Sequence, residues 1–257
     1  MLHDFDVKSD RSYGTGSRVE IALELRAQGV NSFAFTDLFT ISDTVDTPGF
    51  KDSRVYTGSE WYVKCNSFGV ERIDLVFLNY KPTDLFKAWS RREIIRMESK
   101  WEHAGLSAKA SLSDSFRDKS NFGRVLVEQG LRRAYFGALP ILEQVVTEFQ
   151  KVGAQFILSG IPFVGDFSYK CKIVRYLKTL GLMGMIVFKS ENDYGDMGKE
   201  IQESLDLCVY AGILPIVGSG VCRDYDSRRV ACGSAVRAFD HLTRQIIEKL
   251  DGGVLCR

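Results

Sequence analysis

Hydrophobic and polar positions alternate along this chain in two rhythms, one with a period near 2 and one near 3.6. Phe5 to Val7 read as a short strand, and residues 17–28 follow with apolar positions spaced as on one face of a helix. "NSFAFTDL" (31–38) is aromatic and apolar enough for a buried strand. "RVYTGSEWYVK" (54–64) and "RIDLVFLNY" (72–80) alternate as two more, either as a hairpin or as successive strands. Helical spacing covers 83–104 and 121–131. From there helices at 139–152, 169–180, 196–211 and 233–250 alternate with strands at 154–162, 183–190 and 213–220. Gly153, Gly181 and Gly212 fall where helices should stop, because glycine accepts the positive φ of a helix C-terminus.

Strand and helix in alternation predict an α/β fold with a parallel sheet covered by helices, which over this length closes into a distorted TIM-like (β/α)7 barrel. An open doubly wound sheet is the second solution. The long interruption at 105–138 is polar and Ser-rich, then helical, and reads as a small inserted helical subdomain or lid within one domain spanning 1–257.

Composition narrows the partners more than it narrows the fold. The 257 residues are 45% apolar and 26% charged, enough for a full core. Lys and Arg total 34 against 33 acidic residues, so net charge gives no reason to expect nucleic acid or an anionic membrane, although a local basic patch stays open. The start "MLHDFDVKSD" lacks the charged and apolar regions of a secretory leader, and runs such as "GLMGMIVF" are too short to span a bilayer, so a cytoplasmic protein is expected. Cys65, Cys171, Cys208, Cys222, Cys232 and Cys256 show no C-x-x-C spacing and read as reduced, mostly structural thiols.

Barrel chemistry sits at the C-terminal ends of the strands. Polar residues there are Asp6 and Lys8, Asp37, Glu60, Asp74 or Asn79, Ser159, Lys189 and Glu191, then Ser219, Cys222, Arg223 and Asp224. Asp6 and Lys8 are two apart on one strand and project from the same face.

In order and spacing these segments resemble the polymerase and histidinol phosphatase (PHP) family. Its first strand reads D-x-H-x-H-S where this chain has "DFDVKS", and "SRVEIALELRAQGV" matches the family's following helix. The T-D-H strand end corresponds to Thr36, Asp37 and Leu38, and G-x-E to Gly58, Ser59 and Glu60. "DLVFLNY" stands for an H-x-L-G-Y type segment, "NFGRVLVEQGL" for an inserted helix, "FILSGIP" for an A-H-P strand end and "VGSGVCRD" for G-S-D-x-H. Active members hold metal ions through those histidines and carboxylates and use them to activate water against a phosphoester. Carried over by position, the histidines become Asp6, Lys8, Leu38, a residue of "DLVFLNY", Gly160 or Ile161, Gly220 and Cys222, while Glu60 survives. The chain has three histidines, His3, His103 and His241, and none matches a ligand position.

An ammonium at position 8 carries fixed positive charge where a metal's charge would lie and cannot ligate while protonated. Lys8 is therefore expected to take the metal's electrostatic place, paired with Glu60, Asp37 or Asp6, with no metal bound and no cofactor needed. The rival readings are carboxylates that merely cap loops, and an all-carboxylate site of Asp6, Asp37, Glu60 and Asp74 around Mg²⁺ or Mn²⁺. Ser219, Cys222, Arg223 and Lys189 are candidates for holding a phosphorylated small ligand, with a solvated loop as the plain alternative. Cys222 has arginines near it but no histidine placed to activate it, which favours a structural thiol. Arg91, Arg92, Arg96, Arg132 and Arg133 lie near aromatics in the manner of a nucleic-acid surface, and interleaved glutamates favour an ordinary salt-bridged helix.

The expected function is a PHP-like barrel without its metal site or phosphoesterase activity, serving as a binding, regulatory or scaffolding protein for a protein partner or a phosphorylated small ligand. The alternative is an enzyme: a phosphoester hydrolase with a reduced carboxylate site, or a metal-free one using Lys8 as base or Schiff-base amine with Asp6, Asp37 and Glu60.

Overall fold

The computed structural model describes residues 2–12, 16–27, 29–41, 54–105, 132–159, 165–189 and 197–218. In chain order these form β1 (Leu2–Val7), α1 (Arg18–Ala27), β2 (Val30–Phe35), β3 (Arg54–Tyr56), β4 (Gly58–Cys65), β5 (Val70–Leu78), α2 (Asp84–His103), α3 (Arg132–Ala138), α4 (Leu142–Lys151), β6 (Gln155–Leu158), α5 (Phe167–Thr179), β7 (Leu182–Lys189), α6 (Met197–Ala211) and β8 (Leu214–Gly218). The helices expected at 121–131 and 233–250 lie outside the described residues.

Helix boundaries follow local chemistry. Ser17 and Glu20 form a reciprocal capping box before α1, with Ser17 N donating to Glu20 Oε2 at 2.9 Å and Glu20 N donating to Ser17 Oγ at 3.3 Å. Thr83 caps α2 by accepting from Phe86 N, and Asp166 caps α5 by accepting from Tyr169 N. Gly153, Gly181 and Gly212 follow α4, α5 and α6 with φ of 81°, 99° and 61°. The helix expected over 139–152 starts only at Leu142, because Pro140 breaks the helical run after α3 and Ile141 bridges to Lys64 instead.

The ladders make two sheets, β1-β2-β3 and β4-β5-β6-β7-β8. Of the two readings of 54–64 and 72–80 the hairpin is the one found, and the all-parallel sheet is corrected: β5 runs antiparallel to both β4 and β6, whereas every other pairing in these sheets is parallel. The physical reason is the connection between β4 and β5, a single turn of 3-10 helix at Asn66–Phe68 closed by Gly69 at φ 64°. A parallel crossover needs a dozen or more residues, and this turn can only reverse the chain.

The two sheets meet at β2. β3 runs into β4 with only Thr57 between, and Leu38 makes a parallel bridge to Glu60. At the other side β1 lies beside β8, with no ladder joining them among the described residues. The result is a mixed α/β arrangement in which no closed barrel is hydrogen-bonded throughout among the described residues.

Its interior is nonetheless barrel-like. Phe5, Ala34, Val76, Leu78, Ile157, Met183, Ile186 and Ile216 form one buried cluster drawn from β1, β2, β5, β6, β7 and β8, with Tyr56 of β3 packed against it. Trp61, Phe77, Phe149, Ile173 and Leu207 belong to a larger cluster that joins the opposite strand faces to the helices, and Val7, Ile21, Leu25 and Phe35 seal α1 onto β1 and β2.

Gly58 sits where β4 passes closest to β2. A Cβ there would lie 2.5 Å from Phe35 O and 3.0 Å from Thr36 Cγ2. Gly58→Ala must push β4 away from the end of β2, an overpacking cost of about 1–3 kcal/mol. The expected readout is a lower urea midpoint at unchanged slope; an unchanged midpoint would contradict this close approach.

Candidate functional site

At the end of β1 the regular alternation breaks. Phe5 packs in the interior cluster while Val7 packs under α1, and the β1-β2 register shifts between Asp4 and Val7. This irregularity turns Asp6 and Lys8, on either side of Val7, to the inside along with Phe5. Both are fully buried.

Lys8 Nζ is surrounded by oxygen. It lies 2.9 Å from Asp6 Oδ1 and 3.0 Å from Glu60 Oε2, and it donates to Thr36 Oγ1 at 2.8 Å and to the Thr36 carbonyl. Thr36 Oγ1 in turn donates to Asp6 Oδ1 at 2.9 Å. Glu60 is placed by its backbone: Glu60 N donates to Asp37 O, and Phe39 N donates to Glu60 O, so β4 grips the end of β2 on both sides of Leu38. Its second oxygen accepts from Ser159 Oγ at 2.8 Å, which ties the cluster to the end of β6. Burial by itself would strip the proton from Lys8, but the Asp6 and Glu60 carboxylates outweigh it and hold the amine above its ordinary value.

Asp37 belongs to a different set. It accepts from Ser9 N at 2.6 Å, Ser9 Oγ at 2.7 Å, Ser12 Oγ at 2.9 Å, and Arg18 Nε and Nη2 at 3.1 and 2.7 Å. Burial opposes its ionisation, yet the Arg18 guanidinium and the Ser9 amide keep it below the usual carboxylate value. Arg18 also lies over the Phe35 ring at 5.2 Å. So Asp37 anchors the β1-α1 loop and is not a partner of Lys8. Sequence reasoning missed Arg18, though a signal existed: a cation in the first turn of a helix opposes the macrodipole and needs another reason to be there.

Asp74 is engaged again elsewhere, bonded at 2.6 Å to both Nε and Nη2 of Arg72, whose guanidinium lies 3.7 Å from the centre of the Tyr62 ring. The carboxylates that an all-carboxylate Mg²⁺ or Mn²⁺ site would recruit are therefore divided among Lys8, Arg18 and Arg72. Among the described residues no three His, Cys, Asp or Glu side chains are grouped to hold a metal ion. Asn79 adopts a left-handed φ of 56° and Phe39, next to the gripped end of β2, one of 52°, the latter a strained backbone for an aromatic residue.

The other candidates are placed only in part. Lys189 ends β7, where its backbone pairs with Gly218. Ser219, Cys222, Arg223, Asp224 and Glu191 lie outside the described residues. His103 is exposed at the end of α2, its Nδ1 2.6 Å from Ser99 O. Cys65, Cys171 and Cys208 are buried free thiols, and burial pushes Cys208 up to about 12, as befits structural cysteines. No helix among the described residues is long and apolar enough to cross a membrane.

The same strand and helix arrangement occurs in solved proteins of low sequence similarity. An amidohydrolase from Chromobacterium violaceum, with bound sulfate and no metal, superposes with a TM-score of 0.61 at 15% identity over 88% of this chain and 89% of that one. A proposed metal-dependent phosphoesterase from Bifidobacterium adolescentis superposes with a TM-score of 0.57 at 14% identity over 85% and 86%. The chain matches no protein-family profile and no curated protein sequence. At these identities the likeness is one of fold alone.

Proposed function

We propose that this protein is a PHP-type barrel in which the Lys8 ammonium holds the place of the metal cluster, and that it works as a non-catalytic binding, regulatory or scaffolding protein. The observation that carries this reading is the coordination of Lys8 Nζ by Asp6, Glu60 and Thr36 with no solvent exposure of the lysine or Asp6. Oxygens that could ligate a cation already ligate one, and it is covalently part of β1. A second cation in the same cage would meet that positive charge with no water between them to screen it.

The same geometry weighs against Lys8 as a base or Schiff-base amine. Such roles need the neutral amine, and here two carboxylates stabilise the charged form while burial denies a substrate access. The barrel closes, on this reading, through β1 and β8, which lie side by side. Ser219, Cys222, Arg223 and Lys189 stay the candidates for holding a protein partner or a phosphorylated small ligand, and no metal or other cofactor is required.

The test is a panel of phosphomonoesters, phosphodiesters and amides assayed with and without Mg²⁺, Mn²⁺ and Zn²⁺. The expected result is no turnover above the buffer with any of them. Metal-dependent hydrolysis abolished by Glu60→Gln would overturn the proposal.

A further inference from the structure

One flank of the molecule carries a row of cations that the fold does not balance. On α2, Arg92, Arg96 and Lys100 recur every four residues, in steps of about 6 Å along one helix edge. Asp84, Glu98 and Glu102 project from the far side of the helix, and Glu93 reaches the row only to pair with Arg96 at 2.9 Å. Beside this edge lies α3, where Arg133 and Gly137 are exposed one turn apart. Lys64, near the end of β4, donates to Gly137 O at 2.8 Å, and Arg96 Nη2 donates to Ala138 O at 3.1 Å.

Lys64 and Arg96 thus have a structural task, holding the carbonyls that end α3. Arg92, Lys100 and Arg133 have none: they are exposed and make no ion pair among the described residues. The crowding is unfavourable, since partial burial and then the charges of Lys100 and Arg96 depress the Lys64 ammonium. Like charges gathered without internal partners are what an anionic ligand would relieve. Among the described residues a Cβ added at Gly137 would meet nothing within 4 Å.

We propose that the seam between α2 and α3 binds the phosphodiester backbone of a nucleic acid, with Arg92, Lys100 and Arg133 as phosphate contacts. A rigid, regularly spaced row suits a chain of evenly spaced charges. An acidic protein would be expected to find a cluster of apolar anchors, and between Arg92 and His103 the described residues expose one large apolar side chain, Ile95. The contacts assigned here are to phosphates, which carry no sequence information, so binding is strongly salt-dependent. The proposal stands whether or not the Lys8 cluster is catalytic.

The test is fluorescence anisotropy with a labelled mixed-sequence single-stranded oligonucleotide across a salt series. Arg92→Glu, Lys100→Glu and Arg133→Glu combined are compared with Arg91→Glu, Lys172→Glu and Lys199→Glu combined, an equal charge change at exposed positions elsewhere. Wild type is expected to bind saturably at low salt; the seam variant should lose at least about tenfold in affinity and roughly two units of log-log salt slope, and the other variant should stay within about twofold. Circular dichroism checks folding, and Arg92→Ala alone serves if the triple reversal unfolds. Absence of saturable binding by wild type, or equal losses in both variants, would overturn the proposal. So would displacement by polyglutamate as effective as by the oligonucleotide, which would assign the seam to an acidic protein.

Discussion

Replacing Lys8 with methionine is expected to lower the unfolding free energy by about 3–5 kcal/mol, the usual consequence of removing one member of a buried ion pair. The loss is large because the partners stay behind. Asp6 and Glu60 would face each other in the interior with no cation between them, and Thr36 would lose its donor. Two outcomes distinguish this from a mere loss of packing. Acidification should narrow the deficit, because protonating either carboxylate relieves the repulsion. Adding Mn²⁺ or Mg²⁺ should also narrow it in Lys8→Ala, where the vacated space leaves two carboxylates and a carbonyl suited to a hard cation. Urea unfolding followed by tryptophan fluorescence measures both. Removing the whole charge set, with Asp6→Asn and Glu60→Gln added to Lys8→Met, should recover much of the loss. A Lys8→Met protein within about 0.5 kcal/mol of wild type would show that the cluster does not carry the stress described here.

The second large effect is expected at Asp37. Asp37→Asn leaves the Arg18 guanidinium buried without a counter-charge and weakens the bonds from Ser9 and Ser12 that fold the β1-α1 loop. A loss of about 3–5 kcal/mol at neutral pH is expected. Its pH dependence has a definite sign. The folded carboxyl is held below its ordinary value, so its stabilisation is complete above the unfolded value of about 3.9 and is lost as pH falls through the lower folded value. Wild type and Asp37→Asn should therefore converge in stability on the acid side of that value and diverge above it. A gap that persists unchanged through acid titration would mean that packing, and not the Asp37 charge, holds the loop.

Much of this arrangement is legible in the residues themselves. The alternation of strands and helices from Leu142 to Gly218 is legible because each element buries one face and leaves its period in the apolar positions. Strand direction leaves no such trace, since periodicity is the same read either way. The reversal of β5 was readable only from the brevity of the link at Asn66–Gly69. Asp6 and Lys8 are two apart and so within reach of each other, but turning both inward took the register shift between Asp4 and Val7. Which carboxylate joins them did need the fold: Asp37 and Glu60 are equally plausible along the chain, and only the grip of β4 on the end of β2 brings Glu60 to Lys8 while Arg18 takes Asp37. The contribution of Thr36 was hidden for a related reason, because half of it is a backbone carbonyl.

The central proposal, that the Lys8 ammonium fills the place of a metal cluster, is tested most directly by metal stoichiometry. Wild-type protein purified without chelators, then equilibrated with Zn²⁺, Mn²⁺ and Mg²⁺ and desalted, should carry no stoichiometric metal by inductively coupled plasma mass spectrometry. One or more ions per chain, lost on Glu60→Gln, would contradict the account and return the Asp6 and Glu60 cluster to metal chemistry.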